Sequence, residues 1–452
     1  MTALRFLSPV FVITLATACT PVSQIRTAVP SEAAANSRIL EDPQFARLRE
    51  CAHGHPSQGE RRESIEDYDG YSIGYVEFDD QGWFYDKTGK QLQALLTRLN
   101  SELSSSRYKD TDFVVLTFIH GWHHNAHDND CNVNEFRFMV KHMSEKLAAN
   151  DSKRRKRIIG IYVGWRGEAI AVPGLNLLTI IDRRYTAEHV AKGSVRELFA
   201  QLRRIELMQR NAVSHEKLRT IVVGHSFGAL IAFHALSGGL LADLTLKKPL
   251  SNNNPQIPGK CIAGEGPPPY PDWLILINPA FEASRYEVMH RAALPDAGCD
   301  YPEANEWSRP RMLVFSAEND WATGSAFSIL RRLGTFLEAY NEDSPLDRAN
   351  EKEANYHSIG FVPRYRTHVA CLENDKVVLG RVPGEQASER PPFWVVRASK
   401  HVIWGHDGFL FTPGQLKPQP APGQAEPKPH LLDFLIELYL NPTAVPMSAR
   451  CL

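Results

Sequence analysis

The chain has 452 residues, of which 43% are hydrophobic, so it is long enough and apolar enough to bury a large core. Its 51 Lys and Arg residues nearly balance its 52 Asp and Glu residues, which gives a formal net charge of −1. This balance excludes the global positive charge that draws proteins to nucleic acid, and no nucleic-acid partner is expected.

The N-terminus has the pattern of an exported protein. An apolar run from Phe6 to Leu15 is too short to span a membrane and is followed by polar sequence. The ending Ala16-Thr17-Ala18-Cys19 resembles a bacterial lipoprotein signal, in which the cysteine becomes the lipidated first residue. We therefore expect a signal peptide over residues 1–18 and a lipid on Cys19. An ordinary cleaved signal peptide, with Cys19 incidental, stays open.

A lipid on Cys19 would anchor the chain to a membrane, which is therefore an expected partner. Residues 19–65 are expected to form a tether, because their first part is rich in Ser, Ala, Thr and Pro. The residue after the cysteine is Thr20. An Asp at this position would resemble a signal for retention in the inner membrane. The expected location is therefore the bacterial cell envelope, at its outer membrane.

The chain has seven cysteines, and six remain if Cys19 carries lipid. An even number in an exported protein permits disulfide bonds. Cys261 and Cys299 flank one predicted strand and are the favoured pair. No two cysteines have CxxC spacing, so zinc held by cysteine is not expected.

Strand patterns dominate the chain from Tyr71 onward. A hairpin is expected first, from YSIGYVEF and GWFYD around Asp79-Asp80-Gln81-Gly82. Six later runs are short, nearly continuous in hydrophobicity and bounded by polar residues, Gly or Pro, as is typical of strands buried on both faces. These runs are Phe113-His120, Arg157-Trp165, Thr220-Gly224, Trp273-Pro279, Met312-Ser316 and Phe393-Ser399.

Segments with helical period lie between these strands, for example around Val195, Leu198 and Phe199. The alternation predicts an α/β fold over residues 66–445, with a mostly parallel central sheet and helices on both faces. Residues 166–193, largely apolar from Ala169 to Ile181, either line an acyl pocket, form a lid or continue as a core helix. Residues 412–429 are rich in Pro and predict an extended surface loop.

The stretch TIVVGHSFGAL identifies the candidate nucleophile. Gly224-x-Ser226-x-Gly228 follows a predicted strand and precedes the helical segment LIAFHAL. Such a strand-turn-helix exposes a serine hydroxyl above the sheet, and a side chain at either glycine would clash in so tight a turn. Ser226 is therefore predicted to be the catalytic nucleophile.

The stretch FIHGWHHNAHD, which follows the run FVVLT, supplies an oxyanion loop. His120-Gly121 turns the chain at the end of a strand, so the backbone N–H groups of Trp122 and Phe227 are expected to hold an oxyanion. The four histidines fit neither H-x-H-x-D-H nor H-x-x-E-H zinc spacing, so no metal or other cofactor is expected. Metal binding by a helix with this i, i+3, i+4, i+7 spacing stays open. The favoured interpretation is that the histidines brace the loop by hydrogen bonds to backbone.

The acid and the base follow the nucleophile along the chain. Asp320 lies just beyond the strand Met312-Ser316, with Glu318 as the second choice and Glu282 as a weaker one. His406 lies near glycines in the loop beyond the last strand, with His401 as its rival.

Together, His120-Gly121-Trp122, Gly224-x-Ser226-x-Gly228, Asp320 and His406 resemble the α/β-hydrolase superfamily, over roughly Tyr71 to Asn441. The chain looks closest to lipoprotein-like bacterial esterases. The resemblance implies an α/β-hydrolase fold and cleavage of small-molecule or lipid esters through a covalent acyl-serine, without a cofactor. Insertions around Pro249-Tyr270 and Leu294-Pro310 depart from the pattern. Acyl transfer to an alcohol or amine stays open, as does a non-catalytic envelope lipoprotein on the same scaffold.

Overall fold

The computed structural model describes residues 23–30, 39–41, 48, 61–150, 154–168, 179–212, 217–247, 250–251, 261–262, 269–294, 310–335, 337–340, 344–382, 392–411, 428–442 and 445–451. The predicted signal peptide, Cys19, Cys299 and almost all of the predicted Pro-rich loop lie outside these residues.

The strands in the described residues are two to eleven residues long. They are β1 (Ile65–Asp67), β2 (Tyr71–Phe78), β3 (Thr111–Ile119), β4 (Arg155–Trp165), β5 (Leu218–His225), β6 (Leu250–Ser251), β7 (Cys261–Ile262), β8 (Trp273–Ile277), β9 (Met312–Ala317), β10 (His368–Glu373), β11 (Lys376–Arg381) and β12 (Phe393–Ala398).

The α-helices fall between the strands. They are α1 (Lys90–Ser104), α2 (Cys131–Ala149), α3 (Ile180–Lys192), α4 (Val195–Ala212), α5 (Phe227–Lys247), α6 (Glu287–Ala293), α7 (Phe327–Gly334), α8 (Pro345–Tyr356) and α9 (His430–Leu440).

Ten strands form one sheet in the order β1-β2-β4-β3-β5-β8-β9-β12-β10-β11. The strands from β2 to β10 in this order pair in parallel, while β1 and β11 pair antiparallel at the two edges. All six buried strands predicted from the sequence are present in the parallel part, which confirms an α/β fold with a mostly parallel sheet. The pair β6-β7 forms a separate two-stranded sheet.

Alternate residues of the central strands face two different hydrophobic layers. On β3, Phe113 and Val115 pack in a cluster with residues of α1, α3, α4 and α5. Val114 and Leu116 face the other way, into a cluster with residues of α2 and α9. The period of two along a strand thus places helices on both faces of the sheet, as predicted.

Two helices are relevant to two questions: whether the chain has a helix that could cross a membrane, and whether residues 166–193 form a lid. Within the described residues, one helical segment, Phe227–Leu246 in α5, is long and apolar enough to cross a membrane, with a mean hydropathy of 1.6. Its first turns are buried in the core, where Ala229 and Leu230 have no exposed surface. Within residues 166–193, α3 buries Ala187 and Val190 in the same core. The apolar stretch Ala169–Ile181, on which the lid, pocket and core-helix alternatives rest, is described only from residue 179 onward. Residues 169–178 lie outside the described residues.

The predicted hairpin is present only at its turn. The segment YSIGYVEF forms β2, and the chain reverses after it: Phe84 forms an isolated antiparallel bridge with Phe78, and the Tyr85 N–H donates to the carbonyl of Glu77 (3.1 Å). GWFYD does not continue as a second strand. Instead β2 pairs in parallel with β4 and antiparallel with β1. All eight residues of β2 are buried, so β2 sits inside the large sheet and the local turn signal does not decide its partners.

Part of the predicted tether packs against the domain. Arg26 is fully buried, and its guanidinium donates hydrogen bonds to Glu66 (3.1 Å) and to the carbonyl of Ala126 (2.8 Å). The backbone N–H groups of Ile25 and Arg26 donate to the Glu77 carboxylate at 2.9 and 2.8 Å. The composition of this segment suggested a linker, but a buried ion pair and two charge-assisted hydrogen bonds fix it in place.

A disulfide bond between Cys371 and Cys451 joins β10 to the C-terminal segment, with a Cα–Cα distance of 5.6 Å. This pair is not the Cys261–Cys299 pair favoured from the sequence. That pair is not tested, because Cys299 lies outside the described residues.

The strand order changes direction between β3 and β5. After β3 the chain crosses to β4 on one side, and it later returns to β5 on the other side. Ligands of open α/β sheets bind outside the carboxyl ends of strands at such a switch point. The candidate oxyanion loop follows β3 and the candidate nucleophile follows β5, so both lie at this switch point.

Candidate active site

Ser226 occupies a strained turn between β5 and α5. Its φ angle is +55°, in the left-handed region that a residue with a side chain rarely adopts. Its backbone N–H donates to the carbonyl of Ile277 (3.0 Å), and its carbonyl accepts from the N–H of Ala280 (3.2 Å). Strain of this kind costs about 1–3 kcal/mol and persists only where neighbouring structure holds it, as these two bonds to the segment at the end of β8 do here.

The glycines around Ser226 are required by close approach of backbone. A Cβ on Gly224 would lie 2.6 Å from the carbonyl oxygen of Gly228. A Cβ on Gly228 would lie only 2.0 Å from the carbonyl oxygen of Ile119, at the end of β3. The absence of a side chain at Gly224 and Gly228 therefore lets α5 start directly against the neighbouring strand.

Gly228→Ala should destabilise the protein, whereas Gly238→Ala in the same helix should not. The Gly228 substitution forces the backbone of β3 or α5 to move, and overpacking costs roughly 1–3 kcal/mol or more. Gly238 is exposed and a Cβ there would meet nothing within 4 Å, so alanine should stabilise the helix by about 0.5–1 kcal/mol. Urea denaturation of both variants measures the two changes in the free energy of unfolding. Equal changes would contradict this account of the turn.

Three predicted residues from different loops are joined by hydrogen bonds. The His406 Nε2 lies 2.7 Å from the Ser226 Oγ, and the His406 Nδ1 lies 2.9 Å from the Asp320 Oδ2. Ser226 and Asp320 are buried, while the His406 side chain is 22% exposed. The order serine, imidazole, carboxylate is the arrangement in which a histidine can take the serine proton while the acid orients its ring.

The acid is held as a carboxylate. Burial alone would raise the pKa of Asp320, but the charge of His406 and hydrogen bonds from His406 and Thr323 lower that pKa below its ordinary value. The Thr323 hydroxyl donates to the Oδ2, and the N–H groups of Ala322 (2.9 Å) and Thr323 (3.2 Å) donate to the Oδ1. Asp320 is thus an ionised acceptor at neutral pH.

The charge of Asp320 acts on the histidine in turn. Burial lowers the pKa of His406, but the charge of Asp320 and its hydrogen bond more than offset burial and raise that pKa above the ordinary histidine value of 6.5. The raised pKa makes His406 a stronger base, which can accept the proton of the serine hydroxyl and return it afterwards.

Asp320→Asn should lower kcat by about 10⁴-fold, because the neutral amide neither fixes the tautomer of His406 nor stabilises its imidazolium. The base works only when unprotonated, so activity falls as pH drops through the His406 pKa. In the wild-type protein the midpoint of this acid limb should lie above 6.5. In the variant it should move to lower pH, because the charge that raised the pKa is gone. A pH profile of kcat/KM measures both, and a limb that stays in place would count against the pairing.

The oxyanion loop lies over the nucleophile. A Cβ on Gly121 would lie 3.0 Å from the Ser226 Cβ, so the chain at Gly121-Trp122 passes directly beside the serine. Phe227 is the first residue of α5, where helix N–H groups have no acceptor within the helix. Among the described residues, no group accepts a hydrogen bond from the backbone N–H of Trp122 or Phe227. The absence of an acceptor for either N–H within the described residues is what the oxyanion-hole prediction requires.

The histidine-rich stretch forms a braced loop and not a helix, since α2 starts only at Cys131. His120 Nδ1–H donates to the carbonyl of Gly121 (2.9 Å), and its Nε2 accepts from the N–H of Trp165 (3.0 Å). Burial lowers the pKa of His120 to about 3, so its ring is neutral.

The next two histidines pair with separate carboxylates. His123 Nδ1 lies 2.9 Å from Glu168, and His124 Nδ1 lies 3.1 Å from Asp130. The predicted bracing to backbone thus describes His120, whereas His123 and His124 brace the loop through carboxylates. The helical metal-binding alternative fails because the four histidines share no helix face.

A different set of metal-ligand types lies beside the serine. Ligand atoms of His225, His406 and Asp407 fall within 4.8 Å of one another. However, the His406 ring bonds Ser226 and Asp320, and the His225 Nε2–H donates to the carbonyl oxygen of His406 (2.9 Å). Both ring nitrogens of His406 and the Nε2 of His225 thus serve the serine or the loop, while the buried His225 Nδ1 has no hydrogen-bond partner among the described residues.

The rival residues lie elsewhere. His401 is exposed, and the Glu318 Oε1 accepts from the N–H of Lys400 (2.9 Å). Glu282 is buried among arginines, accepting from Arg285 at 2.6 Å. Within the described part of the chain, none of these three residues forms a hydrogen bond with Ser226 or with the His406 ring.

Two residues at the site were not predicted. His225 lies inside the GHSFG motif, and Asn278 follows β8; both donate hydrogen bonds to the backbone of the loop that carries His406. Their positions directly at the ends of strands indicate that they lie near the site. Their role could not be predicted, because a hydrogen bond from a side chain to a distant backbone carbonyl has no pattern in the sequence.

Comparisons with known proteins assign no family. No family model matches the chain, and no curated protein matches it. One similar solved structure, of an uncharacterized protein from Pseudomonas aeruginosa, is 11% identical with a TM-score of 0.19; the match covers 53% of this chain and 40% of that chain. A likeness at this level carries no argument about fold or function.

Proposed function

We propose that the chain is a serine hydrolase of the α/β-hydrolase fold, which cleaves carboxylic esters through an acyl-serine intermediate. The observation that carries the proposal is the continuous relay from the Ser226 Oγ through His406 to Asp320, at 2.7 and 2.9 Å. The left-handed turn at Ser226 and the position of the relay above β3 and β5 support it. Such a constellation is recognised by geometry and roles, not by position in the sequence.

The proposed reaction follows from these distances. The Ser226 Oγ attacks the ester carbonyl while its proton passes to the Nε2 of His406. The negative charge that forms on the carbonyl oxygen is held by the N–H groups of Trp122 and Phe227, and each such donor is worth ~10²–10³ in rate. His406 then gives its proton to the departing alkoxide, and the acyl group stays on Ser226.

In the second half-reaction, His406 takes a proton from water as the water oxygen attacks the acyl carbonyl. The proton returns to the Ser226 Oγ when the C–O bond to serine breaks, and a carboxylic acid leaves. All of these proposed steps use side chains and backbone of this chain.

An alcohol or amine that enters in place of water would make the protein an acyltransferase. The relay serves both reactions equally, since either acceptor must lose a proton to His406. For the third alternative, a non-catalytic lipoprotein, nothing would require the strained φ angle at Ser226, or the two neighbouring N–H groups that have no acceptor within the described part of the chain.

A panel of p-nitrophenyl esters of graded acyl length tests the proposal. We expect turnover of at least one member, with release of free acid when water is the acceptor. Addition of a primary alcohol or amine that diverts most of the acyl group at constant p-nitrophenol release would indicate acyl transfer. No turnover of any ester, together with no reaction with a fluorophosphonate, would contradict both forms of the proposal.

We also propose that the mature chain begins at a lipidated Cys19 and is held at the outer membrane, with lipid or small-molecule esters as substrates. The lipoprotein-like signal before Cys19 supports this location. Mass spectrometry of the exported protein should find a diacylglycerol adduct on the N-terminal cysteine. A free, unmodified N-terminus would contradict it.

A further inference from the structure

Asn278 lies at the meeting point of the three loops that carry Ser226, Asp320 and His406. It follows β8, is fully buried and has a φ angle of +44°. Its backbone N–H donates to the carbonyl of Phe315 on β9 (2.8 Å). The preceding residue, Ile277, accepts the N–H of Ser226, so Asn278 is fixed to both neighbouring strands.

The side-chain amide of Asn278 uses both of its ends. The Nδ2 donates to the carbonyl oxygens of His406 (2.7 Å) and Gly405 (3.0 Å). The Oδ1 accepts from the N–H of Ala317 (2.8 Å), three residues before Asp320. One buried side chain therefore links the strand end that leads to the acid with the loop that presents the base.

A second donor binds the same carbonyl. The His225 Nε2–H donates to the carbonyl oxygen of His406 at 2.9 Å, so this oxygen accepts two buried hydrogen bonds. Burial and the adjacent His406 lower the pKa of His225 to about 4, which keeps the ring neutral and its single proton on the donating nitrogen. Two donors on one carbonyl fix the peptide plane, and hence the direction in which the His406 side chain leaves the backbone.

The loop itself needs this support. Gly405 has a φ angle of +61°, and Trp404 and Gly408 exchange backbone hydrogen bonds at 3.0 and 3.1 Å to close a tight turn around His406. The loop backbone is also linked to the acid side by a bond from the Gly405 N–H to the exposed Asn319 (2.9 Å).

We propose that Asn278 is a positioning residue: its amide, together with His225, sets the place of the His406 ring between Ser226 and Asp320. The inference rests on the proposed function, because it assigns Asn278 a role in that relay. Displacement of a catalytic group by about 1 Å can cost ~10²-fold in rate, so loss of the amide donors should act on the chemical step more than on substrate binding.

Asn278→Asp and Asn278→Gly test the proposal. Aspartate keeps the shape, the acceptor for Ala317 and a tolerance of positive φ, but when ionised it cannot donate to His406 or Gly405. Glycine keeps only the backbone angle. We expect ~10²-fold slower fluorophosphonate labelling of Ser226 and a similar fall in kcat in both variants, with KM changed by less than about 3-fold.

The pH profile separates positioning from loss of stability. The new carboxylate of Asn278→Asp should shift the acid limb of kcat/KM to higher pH, because negative charge near His406 favours its imidazolium. Asn278→Gly should show no such upward shift. The control is Asn355→Asp, at another buried asparagine that donates to Glu338 (2.6 Å) away from the relay. It should lower the melting temperature while its labelling rate at 15 °C stays at the wild-type value.

Wild-type labelling rates and an unshifted acid limb in both Asn278 variants would overturn the proposal. If the wild-type protein itself proves unreactive, the proposed function fails, and positioning is judged by NMR alone. In that case the downfield Nδ1–H resonance of His406, bonded to Asp320, should be present in the wild-type protein and lost or exchange-broadened in Asn278→Gly. Its persistence in the variant would overturn the inference.

Discussion

Ser226→Ala should reduce the hydrolysis of p-nitrophenyl acetate by roughly 10⁴–10⁶-fold, because alanine has no atom that can accept the acyl group. The remaining activity would come from the oxyanion donors and from substrate binding, which the substitution leaves in place. Steady-state release of p-nitrophenol measures the change.

Ser64→Ala is the matched control for this result. Ser64 is also buried, with 1% of its surface exposed, but it lies beside β1 near the edge of the sheet. Its loss should leave the rate of hydrolysis within about 2-fold of the wild-type value, as is usual for a substitution away from the reacting groups. If Ser226→Ala retained most of the activity, another residue would have to be the nucleophile.

His406→Ala should lower kcat nearly as far as Ser226→Ala, by about 10⁴-fold or more, because members of a relay act as a unit. The His406 Nε2, 2.7 Å from the Ser226 Oγ, is the atom that removes the serine proton. The double variant Ser226→Ala/His406→Ala should be little slower than either single variant, and comparing the three rates measures this coupling.

His401→Ala is the control, since it removes a histidine from the same connection between the last strand and α9. His401 is exposed at the end of β12, so its replacement should change kcat by less than about 2-fold. A severe loss in His401→Ala with a mild one in His406→Ala would contradict the assignment of the base.

The central strands could be predicted closely from the sequence. Each of the six predicted runs agrees with an observed strand to within two residues at either end, for example Met312-Ser316 against Met312–Ala317. These strands are buried on both faces, so their apolar runs are continuous and end where the sheet ends. The edge of the sheet was harder, because the partners of β2 depend on contacts with β4 that are distant in sequence.

The candidate relay could be predicted because each member follows a strand that is itself recognisable. Ser226 comes directly after β5, Asp320 after β9 and His406 after β12, and parallel strands bring their carboxyl ends to one edge of the sheet. The contributions of Asn278 and His225 could not be predicted in this way. They depend on where the carbonyl of His406 lies in space, which no local residue pattern specifies.

The buried N-terminal segment was missed for a related reason. Arg26 stands among residues typical of a linker, and its partner Glu66 lies in another part of the sequence. Composition describes the average behaviour of a segment, whereas this segment is docked by specific contacts of Ile25 and Arg26 with residues distant in sequence.

The central claim, an acyl group carried by Ser226, is tested most directly by mapping a covalent adduct. The protein is treated with a fluorophosphonate and digested, and the modified peptide is sequenced by mass spectrometry. We expect one stoichiometric adduct on Ser226, formed with a pH dependence that follows deprotonation of His406. An adduct on a different residue, or full loss of esterase activity with Ser226 unmodified, would contradict it.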